Sequence, residues 1–246
     1  MADMQVRQFF QTWYSSGLGA RVLATEIHFL EQRTADLVGY YMVVQSPLTK
    51  FKLKGNRIRH QILLAPQLEL GAPKHTVVGM ANELPIESDG VDVHVLHHTL
   101  DLSTTPHDDL REAARTLLPS GKVFIVGFNP WSFWGARKLL SKGKVAPWNA
   151  HFIAPRRLAD WLKVAGLTLE SIDFLLYRPP LKNPLWCQWY KKVDVLLRPT
   201  KLPLGGIYVI TATKQTRCHI ANKPRWRSVP VRVTTLTKPT IKEMPE

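Results

Sequence analysis

At 246 residues, 45% of them hydrophobic, the chain can bury one sizeable core and is too short for more than one α/β domain with appendages. Its 33 basic and 19 acidic residues give a net charge of +14, a field that raises affinity for nucleic acid or anionic surfaces and says nothing of the fold. No apolar run approaches the ~18 residues of a membrane span, and the start MADMQVRQFFQ lacks a basic-then-apolar signal pattern, so a cytoplasmic protein with no membrane span is expected.

Residues 4–36 read as one or two amphipathic helices. Val6, Phe9, Phe10, Trp13 and Tyr14 lie on one side, Gly17-Leu18-Gly19 makes a break, and Val22, Leu23, Ile27 and Leu30 resume the helical spacing. Such a layer covers one face of a sheet or packs over a ligand. Glu26 and Glu31 fit either salt-bridged surface groups or ligand contacts. Residues 37–47, LVGYYMVVQSP, are the candidate for a first strand, residues 58–66, IRHQILLAP, for a second, and residues 75–78 for a short third.

The most legible stretch follows. Two apolar runs, 91–96 and 122–127, flank an amphipathic helix over about 107–118, which is a β-α-β unit. The runs are rich in Val, Ile and Phe and barely alternate, as parallel strands buried on both faces do. Pro119, Ser120 and Gly121 make the return into the second run, with glycine expected to supply the positive φ that ends a helix. In open α/β sheets ligands bind at the carboxyl ends of the strands, where Leu96-His97-His98-Thr99-Leu100-Asp101 stands. The adjacent histidines lack an HxxxH spacing or a third ligand nearby, so no metal site is expected. His98 and Asp101 suit a cap on the next helix as well as a binding role.

Beyond this unit, FNPWSFWG at 128–135 places three large aromatics at the same edge, with Pro130 ending the strand and Ser132 able to start a helix through Ala136, Leu139 and Leu140. An aromatic core cluster and an acceptor-binding wall both fit it. A further helix is expected from near Pro155 to Gly166, then strands over 167–177 and 206–213, separated by a Pro-, Trp- and Lys-rich loop with a short helix. Cys187 and Cys218 form neither a CxxC pair nor a Cys/His cluster, so neither zinc nor a disulfide framework is indicated. Residues 215–246 interleave Arg, Lys and Pro without apolar periodicity, the composition of a disordered basic tail.

The order Met80-Ala81-Asn82-Glu83-Leu84-Pro85, strand VDVHVL, HHTLD, then Arg115-Thr116-Leu117-Leu118-Pro119-Ser120-Gly121 before VFIVGF resembles the later half of class I S-adenosylmethionine-dependent methyltransferases of the methyltransferase-11 type. The continuation FNPWSFWG is similar to a small bacterial subgroup of that family. The resemblance is specific from about residue 77 to 180 and weak before it. It implies a doubly wound, mostly parallel seven-stranded sheet with helices on both faces, closed by an antiparallel hairpin. The expected organisation is a helical segment at 1–36, a methyltransferase-like domain at 37–214 and the tail at 215–246.

The same resemblance assigns cofactor contacts to Gln45, Ser46, Ala81, Asn82, Glu83, Leu84 and His97, and acceptor contacts to Asn129, Trp131 and His98, with no catalytic residue indicated. Two departures stand out. Gln45-Ser46-Pro47 replaces the acidic residue and Gly-rich turn after strand one, and Ala65-Pro66 replaces the acid that takes the ribose hydroxyls after strand two. The implied function is methyl transfer from S-adenosylmethionine to an unknown acceptor, a small molecule or nucleic acid. Methyl transfer from a sulfonium needs alignment more than a strong base, so a missing acid pair does not count against it. The alternative is a methyltransferase fold that has lost catalysis and serves as a binding or scaffold module, with non-specific nucleic-acid contact through the tail.

Overall fold

The computed structural model describes residues 2–69, 71–141, 146–180 and 202–215. The expected loop and helix over most of 178–199, and all but the first residue of the basic tail, lie outside them. The elements are α1 (Ala2–Tyr14), α2 (Gly17–Thr34), β1 (Val38–Gln45), β2 (Arg57–Ala65), β3 (Thr76–Val78), β4 (Val91–His97), α3 (Thr99–Leu102), α4 (Pro106–Thr116), β5 (Leu117–Phe128), α5 (Phe133–Leu140), α6 (Pro155–Val164), β6 (Leu167–Leu175) and β7 (Ile207–Lys214). They build one seven-stranded sheet in the order β3-β2-β1-β4-β5-β7-β6. The first five strands are parallel, and β7 runs antiparallel to both β5 and β6.

Strand alternation sorts the core into two layers. Val93, Val95, Phe124, Val126 and Phe128 point to one face, where Phe10 and Tyr14 of α1, Val22 and Leu30 of α2, and Trp134 of α5 cover them. Leu96, Val123, Ile125 and Ile210 point to the other, against Leu110 and Ala113 of α4 and Leu158 and Leu162 of α6. The β1–β2 and β2–β3 connections carry no helix among their described residues. Phe51 and Leu53, from the loop after β1, are buried in the first core instead.

Local signals explain the joints. Ser16 caps α2 by accepting from the Gly19 N–H at 3.3 Å. A Cβ on Gly19 would lie 2.1 Å from the Trp13 carbonyl oxygen, so only glycine lets α1 and α2 cross this closely. The helix before β5 ends two residues earlier than its pattern predicts, because Leu117 is already extended and pairs with Val91. In the return that follows, Ser120 and not Gly121 takes the positive φ, 67°. Gly121 serves close packing, since a Cβ there would sit 2.9 Å from the Asp92 carbonyl oxygen. Ser132 starts α5, accepting from the Gly135 N–H at 3.2 Å, and Gly166 ends the α6 turn with φ 77°. No helix of the described residues is long and apolar enough to cross a membrane.

Candidate functional site

The parallel strands end together along one edge of the sheet, and among the cavities that open there two adjoin. The first is a crevice of about 170 Å³ at the tips of β1, β2 and β3. Gln45, Ser46, Ala81 and Asn82 line it, with Gly79 and Met80, Thr99 after β4, and Arg7 of α1. Gln45 is 2% exposed, and neither its amide oxygen nor its amide nitrogen has a hydrogen-bond partner. A buried amide left this way is costly unless a water or a ligand meets it. The Arg7 guanidinium donates to the Ser46 carbonyl at 2.5 Å and places a cation at the crevice wall. Burial holds its pKa down, partly offset by Glu69. Glu69, the nearest acid to the end of β2, is engaged with the Thr49 hydroxyl at 2.8 Å and the Gln11 amide.

The second cavity is a groove of about 700 Å³ lined by Trp131, Phe152 and Trp161 together with His107, Lys138 and Arg157. Ser103 and Thr104, after α3, border both cavities, so the two meet along one loop. Lys138 lies over the Phe152 ring and Arg157 over the Trp161 ring. The groove wall thus combines aromatic surface with positive charge.

Behind the crevice the tip of β4 is dry and polar. His97, His98 and Glu26 have no exposed surface, and Asp101 is 1% exposed. The two oxygens of Glu26 face the two rings: Oε2 lies 3.1 Å from His97 Nε2 and Oε1 3.0 Å from His98 Nε2. Each ring's other nitrogen is also bonded, His97 Nδ1 to the Ser46 hydroxyl at 2.9 Å and His98 Nδ1 to Asp101 Oδ2 at 2.8 Å. Asp101 is fixed in turn by the Phe128 N–H at 3.0 Å, and the Tyr14 hydroxyl donates to Glu26 at 3.4 Å.

Burial works against the Glu26 charge, but the positive charge on His98 and the hydrogen bonds from both rings hold its pKa at about 2. Burial likewise opposes charge on His98, yet Glu26 and Asp101 raise its pKa to about 9. His97 is lowered by burial, and Tyr14 and Asp101 are raised by it.

The sequence-expected site residues therefore separate. Gln45, Ser46, Ala81 and Asn82 gather around the crevice and Trp131, 74% exposed, stands on the groove. Glu83 is exposed away from the crevice, while Leu84 is buried, packs with Val43 and Leu64, and donates its N–H to Glu112. His97 and His98 lie inside the buried cluster and line neither cavity. Asn129 is 1% exposed; its amide nitrogen donates to the Pro203 and Gly205 carbonyls at 2.9 Å and its oxygen accepts from the Trp131 N–H. It ties the end of β5 to the segment before β7. Glu26 is neither a surface ion-pair partner nor a crevice residue. Arg7, Lys138 and Arg157 were not singled out in the sequence, because cations on amphipathic helices carry no signal of what they face.

No protein-family model matches the chain. It is 36% identical over 134 residues, 54% of its length and 52% of the relative's, to the uncharacterized protein YafS of Escherichia coli strain K12. It is 29% identical over 178 residues, 68% of each chain, to the ubiquinone biosynthesis O-methyltransferase of Pseudomonas fluorescens strain SBW25. The chain spans about half the length of the first curated relatives it matches. Among solved structures, an S-adenosylmethionine-dependent methyltransferase of Thermotoga maritima superposes with a TM-score of 0.54 at 18% identity, covering 84% of this chain and all of that one. The geranyl diphosphate C-methyltransferase of Streptomyces coelicolor does so with a TM-score of 0.51 at 15% identity, over 80% of each chain. With its strand order and with β7 antiparallel to its neighbours, the chain has the fold of the class I S-adenosylmethionine-dependent methyltransferases.

Proposed function

We propose that the chain binds S-adenosylmethionine in the crevice at the tips of β1, β2 and β3 and transfers its methyl group to an acceptor held in the adjoining groove. The observation that carries this reading is the unpartnered, buried Gln45 amide facing a cavity at the ligand-binding edge of this fold. The adenine would lie between Ala81, Asn82 and Met80. Ser46 and Gln45 would take the amino-acid end, and Arg7 is the cation suited to its carboxylate. The crevice is smaller than the roughly 300 Å³ at which small-molecule sites begin, so binding requires Arg7 to leave Ser46 and α1 to give way.

The chemistry asked of the protein is alignment, since the sulfonium already activates the methyl group. The shared loop at Ser103 and Thr104 sets donor and acceptor side by side. The acceptor best matched by the groove is planar, because Trp131 and Trp161 offer ring faces, and anionic or electron-rich, because Lys138 and Arg157 stand among them. A small aromatic molecule and a nucleobase share that chemistry, and a cytoplasmic location goes with either.

The second reading, a cofactor-binding module without catalysis, is favoured by Ala65-Pro66 at the end of β2, where no acid stands for the ribose hydroxyls. Calorimetric titration tests both. Binding of S-adenosylmethionine and of its demethylated product, weakened at least tenfold by Gln45→Leu, supports the site, and methylation of a planar acceptor distinguishes enzyme from module. No heat with about 1 mM cofactor, the range of ~4 kcal/mol of affinity, removes both readings.

A further inference from the structure

We propose that Glu26, His97 and His98 form a binding site for a divalent transition-metal ion, Zn²⁺ or Fe²⁺ in class, that fastens α2 to the tip of β4. A Glu26 oxygen and the two Nε2 atoms all lie within 4.8 Å of one another. The two carboxylate-to-imidazole separations are 3.1 and 3.0 Å. With metal–ligand bonds of ~2.0–2.2 Å, two donors on one ion stand ~2.9–3.5 Å apart, so these two edges, one to each Glu26 oxygen, already match, and the third, between the two Nε2 atoms and within 4.8 Å, sets how far the rings must close. One carboxylate and two imidazoles suit Zn²⁺ or Fe²⁺, whereas Mg²⁺ and Ca²⁺ take oxygen ligands throughout.

The surroundings match a ligand set that is held in place from outside. A metal-bound histidine characteristically engages its other ring nitrogen with a carboxylate, carbonyl or comparable group, which fixes ring orientation and tautomer. Both rings do so here: His98 through Asp101, itself anchored by the Phe128 N–H, and His97 through Ser46. The Tyr14 hydroxyl, 3.4 Å from Glu26 Oε2, is within reach of a fourth position. Charge agrees as well. As the ion enters, the proton held by His98 leaves; the two carboxylates and two neutral imidazoles then carry −2 in a region almost without exposed surface, and a divalent cation cancels it.

The site is separate from the proposed cofactor crevice and does not depend on that reading. Among the described residues only Ser46 is common to both; it lines the crevice and holds His97 from behind. Its enclosure on all sides marks it as structural, since catalytic metal sites keep an open position. The ion would couple the N-terminal helical hairpin to the sheet, and binding free energy would appear as folding free energy.

Elemental mass spectrometry of the full chain purified without chelator, followed by stripping and addition of Zn²⁺, Fe²⁺ under anaerobic conditions, or Co²⁺, tests the proposal. The expected results are one ion per chain, a higher Tm on adding Zn²⁺ to the stripped protein, and visible Co²⁺ bands of a nitrogen and oxygen sphere. Glu26→Gln should lower affinity most. Asp101→Asn, which leaves the three ligands in place, should lower it 10–100-fold while the chain stays folded by circular dichroism. If Glu26→Gln does not fold, Asp101→Asn decides. Wild-type protein that neither carries nor takes up any of the three ions overturns the site. Uptake that is unchanged in the folded variants does so too, because the ion is then bound elsewhere.

Discussion

Two polar regions lie side by side at the same edge of the sheet and solve the problem of burial in opposite ways. In the cluster at the tip of β4 the facing nitrogens and oxygens of His97, His98 and Glu26 are matched within the protein, at 2.8 to 3.1 Å. In the neighbouring crevice the Gln45 amide is as deeply buried and has no partner. Their difference traces to the N-terminal helices. α2 brings Glu26 against β4 and α1 brings Tyr14 over it, whereas at the end of β1 Arg7 and Gln11 of α1 bond to the Ser46 and Pro47 carbonyls and leave the Gln45 amide unmatched. The matched pairs of the cluster stabilise the fold, although Asp101 Oδ1 is left without a partner, whereas at Gln45 both amide atoms are left so.

The largest expected effect comes from removing charge where it is matched. Glu26→Leu leaves two buried imidazoles facing an apolar side chain and should lower unfolding free energy by ~3–5 kcal/mol in urea denaturation. A loss under ~1 kcal/mol would mean the cluster is not assembled as described.

Next in size is a pH effect confined to the cluster and the buried His94, followed on metal-stripped protein. His98 has a folded pKa raised to about 9, above its unfolded value of ~6.5. Its contribution is complete below pH ~6.5 and is lost as pH rises through 9. His97 is lowered by burial; burial also lowers His94, to about 3 despite the pull of Glu112. For both, stability falls as pH drops below ~6.5, because the unfolded chain takes up protons that the folded one refuses. Unfolding free energy should therefore peak near neutrality. A flat profile between pH 6.5 and 9 would contradict the Glu26–His98 pairing.

The same kind of exchange at the crevice should have the opposite consequence. Gln45→Leu removes an unpartnered amide and should leave stability of the free chain unchanged or slightly higher, while weakening cofactor binding by at least tenfold, about 1.4 kcal/mol. Equal losses of stability and binding would show that the Gln45 amide is already matched in the free protein. The smallest expected effect on folding is at Trp131. Its exposed ring should tolerate Ala within ~0.5 kcal/mol, yet acceptor turnover should fall with cofactor affinity preserved.

The β4–α4–β5 unit was legible from its residues because its signals are local: apolar runs, an amphipathic period and a Pro-Ser-Gly return. Chain order and the likeness of residues 77–180 to a known family were enough to anticipate seven strands ending in a hairpin. Of the crevice residues, Ala81 and Asn82 were legible by the same route, whereas Gln45 and Ser46 were placed by the end of the first strand at Pro47 and stand where the family has other residues. What stayed hidden was which polar groups the tertiary structure would shut away. Glu83 and Leu84 are neighbours of Asn82, yet neither lines the crevice.

By itself the sequence determined the strands, the long helices and the edge at which the parallel strands end, because periodicity, capping and turn chemistry act over a few residues. Only the tertiary structure decided that a glutamate on α2 meets two histidines 71 and 72 residues away. It also decided that Ser120 and not Gly121 takes the left-handed turn and that Gln45 is left without a partner. These outcomes depend on how close one layer comes to another, a distance set by packing of the whole core.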